Sequence, residues 1–187
     1  MNPNTEQLLK YMTDLRAFYL PYHNHKEASA WAAVAWAATV LGLILVFIEK
    51  LAPANRPELL LPTALSFTAL VMAYTGIMFS YIKKQFQLRS FAADVNAAAF
   101  RWSARILASA DSKPIQLDLS LATKSDLDYH AATYLPTFIL DEVKEIATEN
   151  QRRQHRARTT LEKAAYWLLG LTALASLFRI WYPVLTG

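Results

Sequence analysis

The chain has 187 residues, of which 54% are hydrophobic and 18% charged, with a formal net charge of +4. That charge content lies below the roughly 25% of ordinary soluble domains, which puts an integral membrane class first. No cysteine is present, so disulfides, thiolate ligands and lipidated cysteines are excluded, and with only four glycines so are most nucleotide-binding loops.

In chain order, residues 4–20 place Leu8, Leu9, Met12, Leu15 and Phe18 at helical spacing. Thr5 is suited to cap that helix and Pro21 to end it. Residues 1–27 are thus expected to form an amphipathic N-terminal helix and a juxtamembrane segment. The stretch YHNHKE that follows holds His23, His25, Lys26 and Glu27. On a helix the two histidines point about 200° apart and cannot chelate one ion. A metal would need His130, Asp126 and Asp128 brought over from far along the chain. The simpler reading is an interfacial segment at the inner mouth of a span, with Glu27 placed to line a cation vestibule and Lys26 to pair with it or oppose it.

From Ala28 to Ile48 there is no charged residue, and from Leu59 to Ile82 again none. Each run exceeds the roughly 20 residues that cross a bilayer. The first run ends in Glu49–Lys50 without a cleavage site, so it is not read as a signal peptide. Pro53 and Pro57 mark a short turn, making residues 28–82 a transmembrane hairpin. The first span carries Ala28, Ala32, Ala35 and Thr39 at three-to-four spacing, a stripe that allows close helix approach. The second carries Ser66, Thr68, Ala69, Ala73, Thr75, Gly76 and Ser80. Of these, Ser66, Thr75 and Ser80 join Glu27 as candidates for lining a pore or its mouth.

The second run has no breaker at its end. One helix is expected to continue past Lys83 and Lys84 to about Ala110, with Phe86, Phe91, Val95, Ala98, Trp102 and Ile106 on one face. The stretch DSKPIQLDLSLATKSDLD reads as a loop. A helix from about Ser125, interrupted or kinked near Pro136, is expected to run on into the third apolar stretch. Asp141, Glu142 and Glu145 suit a helix start if Pro136 begins a new helix. Residues 83–163 therefore form a cytoplasmic helical hairpin. Its aromatics Phe86, Phe91, Phe100, Trp102, Tyr134 and Phe138 suggest packing against further copies.

The cluster QRRQHRAR lacks the arginine-to-histidine spacing of helical nuclease motifs. Arg152, Arg153 and Arg156 are instead read, with Lys83 and Lys84, as basic residues on anionic lipid. Residues 164–187 form a third span in which Arg179 snorkels and Trp181 and Tyr182 make an interfacial belt. Lys and Arg are dense before the first span and between the second and third, which places the N-terminus and residues 83–163 in the cytoplasm. The fold class expected is an all-α, multi-pass integral membrane protein: a two-span hairpin, a cytoplasmic helical hairpin and a C-terminal third span. No nucleic acid partner and no cofactor are expected: no histidine lies inside a span to hold haem, and no catalytic motif is present.

An amphipathic N-terminal helix, a tight two-span hairpin, the Lys83–Lys84 exit and a cytoplasmic helical hairpin together resemble SLATT-type membrane effectors, small bacterial proteins paired with nucleotide-signalling or antiviral defence modules. The resemblance is one of layout over residues 5–160 and carries no individual residues across. It implies a bacterial inner-membrane location, homo-oligomerisation and triggered membrane permeabilisation. The expected function is a homo-oligomeric pore or channel-like effector gated through its cytoplasmic helices. The alternative is a non-catalytic adaptor that anchors a soluble partner enzyme through residues 84–160. A metal- or haem-binding subunit using His23, His25 and His130 ranks last.

Overall fold

The computed structural model describes residues 3–51, 59–109, 135–154 and 158–186. Within them the protein is all-helical, with α1 over Pro3–Leu51, α2 over Leu60–Ala108, α3 over Thr137–Gln154 and α4 over Arg158–Thr186. Three of these helices, α1, α2 and α4, are long and apolar enough to cross a membrane.

Pro3 opens α1, where a missing N–H is harmless, and Glu6 stands in its first turn, where a carboxylate favours the helix dipole. Thr5 lies inside that first turn and is not its cap. Pro21 does not end the helix either: it sits within α1, which continues to Leu51. The carbonyl of Ala17 loses its partner there, but Ala17 and Pro21 are both exposed, so water can satisfy it. Met12 and Tyr19 are buried N-terminal to the proline and Tyr22 packs on the same core just after it, which holds the helix on both sides.

α2 continues unbroken from its apolar half to Ala108. α3 begins directly after Pro136, whose carbonyl accepts from the amides of Ile139 at 3.1 Å and Leu140 at 3.2 Å. The expected helix over residues 125–134 lies outside the described residues, as do 155–157 between α3 and α4.

The chain divides into two compact units. The first comprises Met1–Glu27 and Gln87–Ala157. Its core joins Met12 and Tyr19 of α1, Phe91, Val95 and Ile106 of α2, and Ile139, Val143 and Ile146 of α3. The second comprises Ala28–Phe86 and Arg158–Gly187. Its core joins Ala30, Ala37 and Leu41 of α1, Val71, Ile82 and Phe86 of α2, and Ala165, Leu169 and Ile180 of α4.

These cores absorb most of the aromatics that the sequence suggests for contacts with other copies. Phe86 and Phe91 are buried, and Trp102 and Phe138 meet edge to face at 5.2 Å over the first core. Phe100 remains 58% exposed, with the Arg16 guanidinium 5.3 Å above its ring. Tyr134 lies outside the described residues.

Candidate functional site

In the second unit the faces of α1 and α2 are sharply two-sided. Ala30, Val34, Ala37 and Leu41 of α1 point inward, as do Ala64, Val71 and Ile82 of α2. The opposite side of α1 carries Ala28, Ala32, Ala35 and Thr39, all exposed, with Gly42 half-buried at the next step. The opposite side of α2 carries Ser66, Ala69, Ala73, Gly76 and Ser80, all exposed. Both rows advance in alternating steps of three and four, so each is one continuous stripe along its helix. The stripe on α2 is flanked by exposed Leu65, Met72 and Phe79 on one side and Leu70 and Ile77 on the other. α4 differs: its outward face presents Trp167, Leu171, Leu174 and Phe178.

The glycines sharpen this contrast. A Cβ added to Gly42 or Gly76 meets nothing within 4 Å, and neither residue has a positive φ. A helix-interior glycine costs roughly 0.5–1 kcal/mol relative to alanine. Neither the fold of this unit nor its backbone conformation needs a glycine at these positions.

Hydroxyls fix the interior of the same unit. Ser176 of α4 reaches the carbonyl of Leu41 on α1 at 3.1 Å and that of Thr172 on its own helix at 2.9 Å, its one proton shared between them. The indole N–H of Trp181 donates to Thr68 Oγ1 at 3.0 Å, pinning α4 to α2. Thr39 and Ser66 return their hydroxyls to the carbonyls of Ala35 and Pro62, each at 2.9 Å, and so add no unmet polarity to their stripes. Thr75 stands apart from Ser66 and Ser80. It is half-buried on the inward side of α2, and its Oγ1 has no partner among the described residues.

Glu27 belongs to the first unit, where its carboxylate faces α2. Its Oε2 lies 3.2 Å from Arg89 Nε, a close ion pair lacking the alignment of a hydrogen bond. The same oxygen stands 3.8 Å from His23 Nε2, while His23 Nδ1 approaches the backbone carbonyl of Arg89 at 3.1 Å. Lys26 neither pairs with Glu27 nor opposes it closely; its ammonium sits 5.0 Å above the Tyr22 ring. Lys83 and Lys84 are exposed. The side chains of Arg152 and Arg153 and the whole of Arg156 lie outside the described residues, as do Asp126, Asp128 and His130. Among the described residues no group of three His, Asp or Glu is arranged to hold a metal.

A third arrangement joins α2 to α3. Glu142, its side chain only 4% exposed, receives Arg101 at 3.2 Å and also Arg105, while Arg101 reaches Glu149 at 2.8 Å. The bonds from Glu149 and Glu142 hold the Arg101 guanidinium above its ordinary range, against a smaller opposing effect of burial. Nearby, Asn150 donates to the buried Asp94 at 2.9 Å. The sequence signal for this network is two arginines four apart on one helix facing two glutamates seven apart on another. Local sequence pattern marks Glu142 only as a helix-start charge. No family model, no curated protein and no solved structure matches the chain.

Proposed function

We propose that the protein is a homo-oligomeric membrane pore or channel-like effector whose subunits meet along α1 and α2. The observation that carries this reading is the pair of outward small-residue stripes, Ala28–Ala32–Ala35–Thr39 and Ser66–Ala69–Ala73–Gly76–Ser80. In lipid no hydrophobic force drives helices together, so association relies on close backbone approach, and small residues permit it. Large side chains cover the outward face of α4, which suits acyl chains. Ser66 and Ser80 share the α2 stripe and are the hydroxyls nearest a shared axis in such an assembly.

In this reading the layout is that of a bacterial inner-membrane defence effector. The N-terminus and residues 83–163 are cytoplasmic, Lys83 and Lys84 lie at the lipid headgroups, and α3 with the cytoplasmic part of α2 receives the trigger. The deciding measurement is the mass of the purified full chain in nanodiscs, together with membrane potential in cells expressing it. A ring of several copies that depolarises cells supports the proposal. A monomer that leaves the potential unchanged, and that brings down one soluble protein through residues 84–160, supports the adaptor reading instead.

A further inference from the structure

We propose that the passage formed along α2 favours anions, with Lys83 as the ring of charge at its cytoplasmic mouth. This rests on the pore reading above and names the class of ion that such a pore passes. The register of the α2 stripe carries it. Ser66, Ala69, Ala73, Gly76 and Ser80 advance in alternating steps of three and four, and the next two steps fall on Lys83 and Gln87. Both are exposed, so the stripe does not end at Ser80 but runs on, without a change of face, into an ammonium group. An alternating three–four repeat averages 3.5 residues and keeps one seam turned to its partners along its length. Rotational symmetry repeats a side chain in that register once per subunit, so one exposed lysine per chain becomes a ring of cations. Rings of Lys or Arg select anions, as rings of Asp or Glu select cations.

No carboxylate on the stripes offsets that charge. The α2 row from Ser66 to Ser80 and the α1 row from Ala28 to Thr39 consist of alanine, glycine, serine and threonine. Glu27, whose place in the sequence suggests a cation vestibule, has its carboxylate 3.2 Å from Arg89 Nε and is neutralised within its own unit. Lys26 is drawn over the Tyr22 ring. Lys84 is exposed too, but it stands one residue out of register, about 100° round the helix from Lys83. It is the better placed of the two to meet anionic headgroups. At physiological salt a charge is screened over about 8 Å. Lys83 therefore acts on ions at the mouth, and the uncharged stripe beyond it adds no opposing preference.

The experiment is the reversal potential of the purified full chain in planar bilayers with unequal potassium chloride on the two sides. The wild type should reverse toward the chloride equilibrium potential, and less so as the salt on both sides is raised. Lys83→Gln should lower the chloride-to-potassium permeability ratio several-fold, and Lys83→Glu should turn the preference to potassium, both at the wild-type mass in nanodiscs. Lys84→Gln should lower the ratio less than Lys83→Gln does. Lys163→Gln, at an exposed position on α4, should leave it unchanged. Should the Lys83 variants not assemble, the wild-type reversal potential and its salt dependence decide alone. A wild type that prefers potassium, an unchanged ratio in Lys83→Glu, or a loss in Lys163→Gln as large as in Lys83→Gln overturns the anion preference and leaves the pore standing. A chain that carries no current with either ion overturns the pore reading and the anion preference together.

Discussion

Trp181 donates its indole N–H to Thr68 Oγ1 at 3.0 Å, across from α4 to α2. Both residues are half-buried between apolar helices, where water competes only weakly for either group. Thr68→Val keeps the shape and removes the acceptor. It should lower the stability of the second unit by about 0.5–1.5 kcal/mol, read as an earlier midpoint in a denaturing-detergent titration. Thr68→Ser should keep most of the wild-type value.

Glu142 is the buried centre of the α2–α3 contact, with two arginines upon it. Glu142→Gln leaves both guanidinium groups without their shared carboxylate, but they are half-exposed and can rehydrate. The loss should be about 1–3 kcal/mol, below the 3–5 typical of a fully buried pair. Limited proteolysis at low denaturant should show α3 released first. Glu149→Gln, which removes the more exposed partner, should cost less than about 1 kcal/mol.

Gly76 separates the needs of one subunit from those of an assembly. Gly76→Ala adds a methyl group where nothing lies within 4 Å, so the monomer should hold or gain about 0.5 kcal/mol. Gly76→Leu should leave the helical content unchanged by circular dichroism, yet shift the nanodisc mass toward the monomer. An undiminished oligomer in Gly76→Leu removes α2 from the interface.

Pro21→Ala restores an N–H inside α1 at an exposed position that is already helical. It should raise the thermal midpoint by several degrees, because the proline gives up a backbone bond and gains no packing in return. A fall in the midpoint would mean that the core around Met12 and Tyr19 needs the backbone geometry that Pro21 imposes.

The charge-free runs made the three apolar helices readable, because crossing a bilayer leaves a signature in composition alone. The long continuation of α2 was readable too, since nothing between Ile82 and Ala108 breaks a helix. Pro21 misled, because local propensity carries no knowledge of the side chains that pack on either side of it. The phase of Thr75 against Ser66 and Ser80 was available from counting: Ser66, Ala73 and Ser80 recur every seven residues, and Thr75 falls outside that register. The partners of Glu27 were not available. Arg89 lies 62 positions away from Glu27 in sequence, and no local pattern ties a carboxylate on one helix to a guanidinium on another.

The segments of the two compact units alternate along the sequence, which has a consequence for biogenesis. Each is assembled from separated stretches, and the inner faces of α1 and α2 in the second unit are completed by Ala165, Leu169 and Ile180, which are synthesised after both. Until then Ala30, Ala37, Leu41 and Val71 have no α4 to rest against. A nascent chain paused before residue 158 therefore holds α1 and α2 with part of their future core still uncovered. Slowing translation late in the message should prolong that exposed intermediate, and speeding it should shorten it.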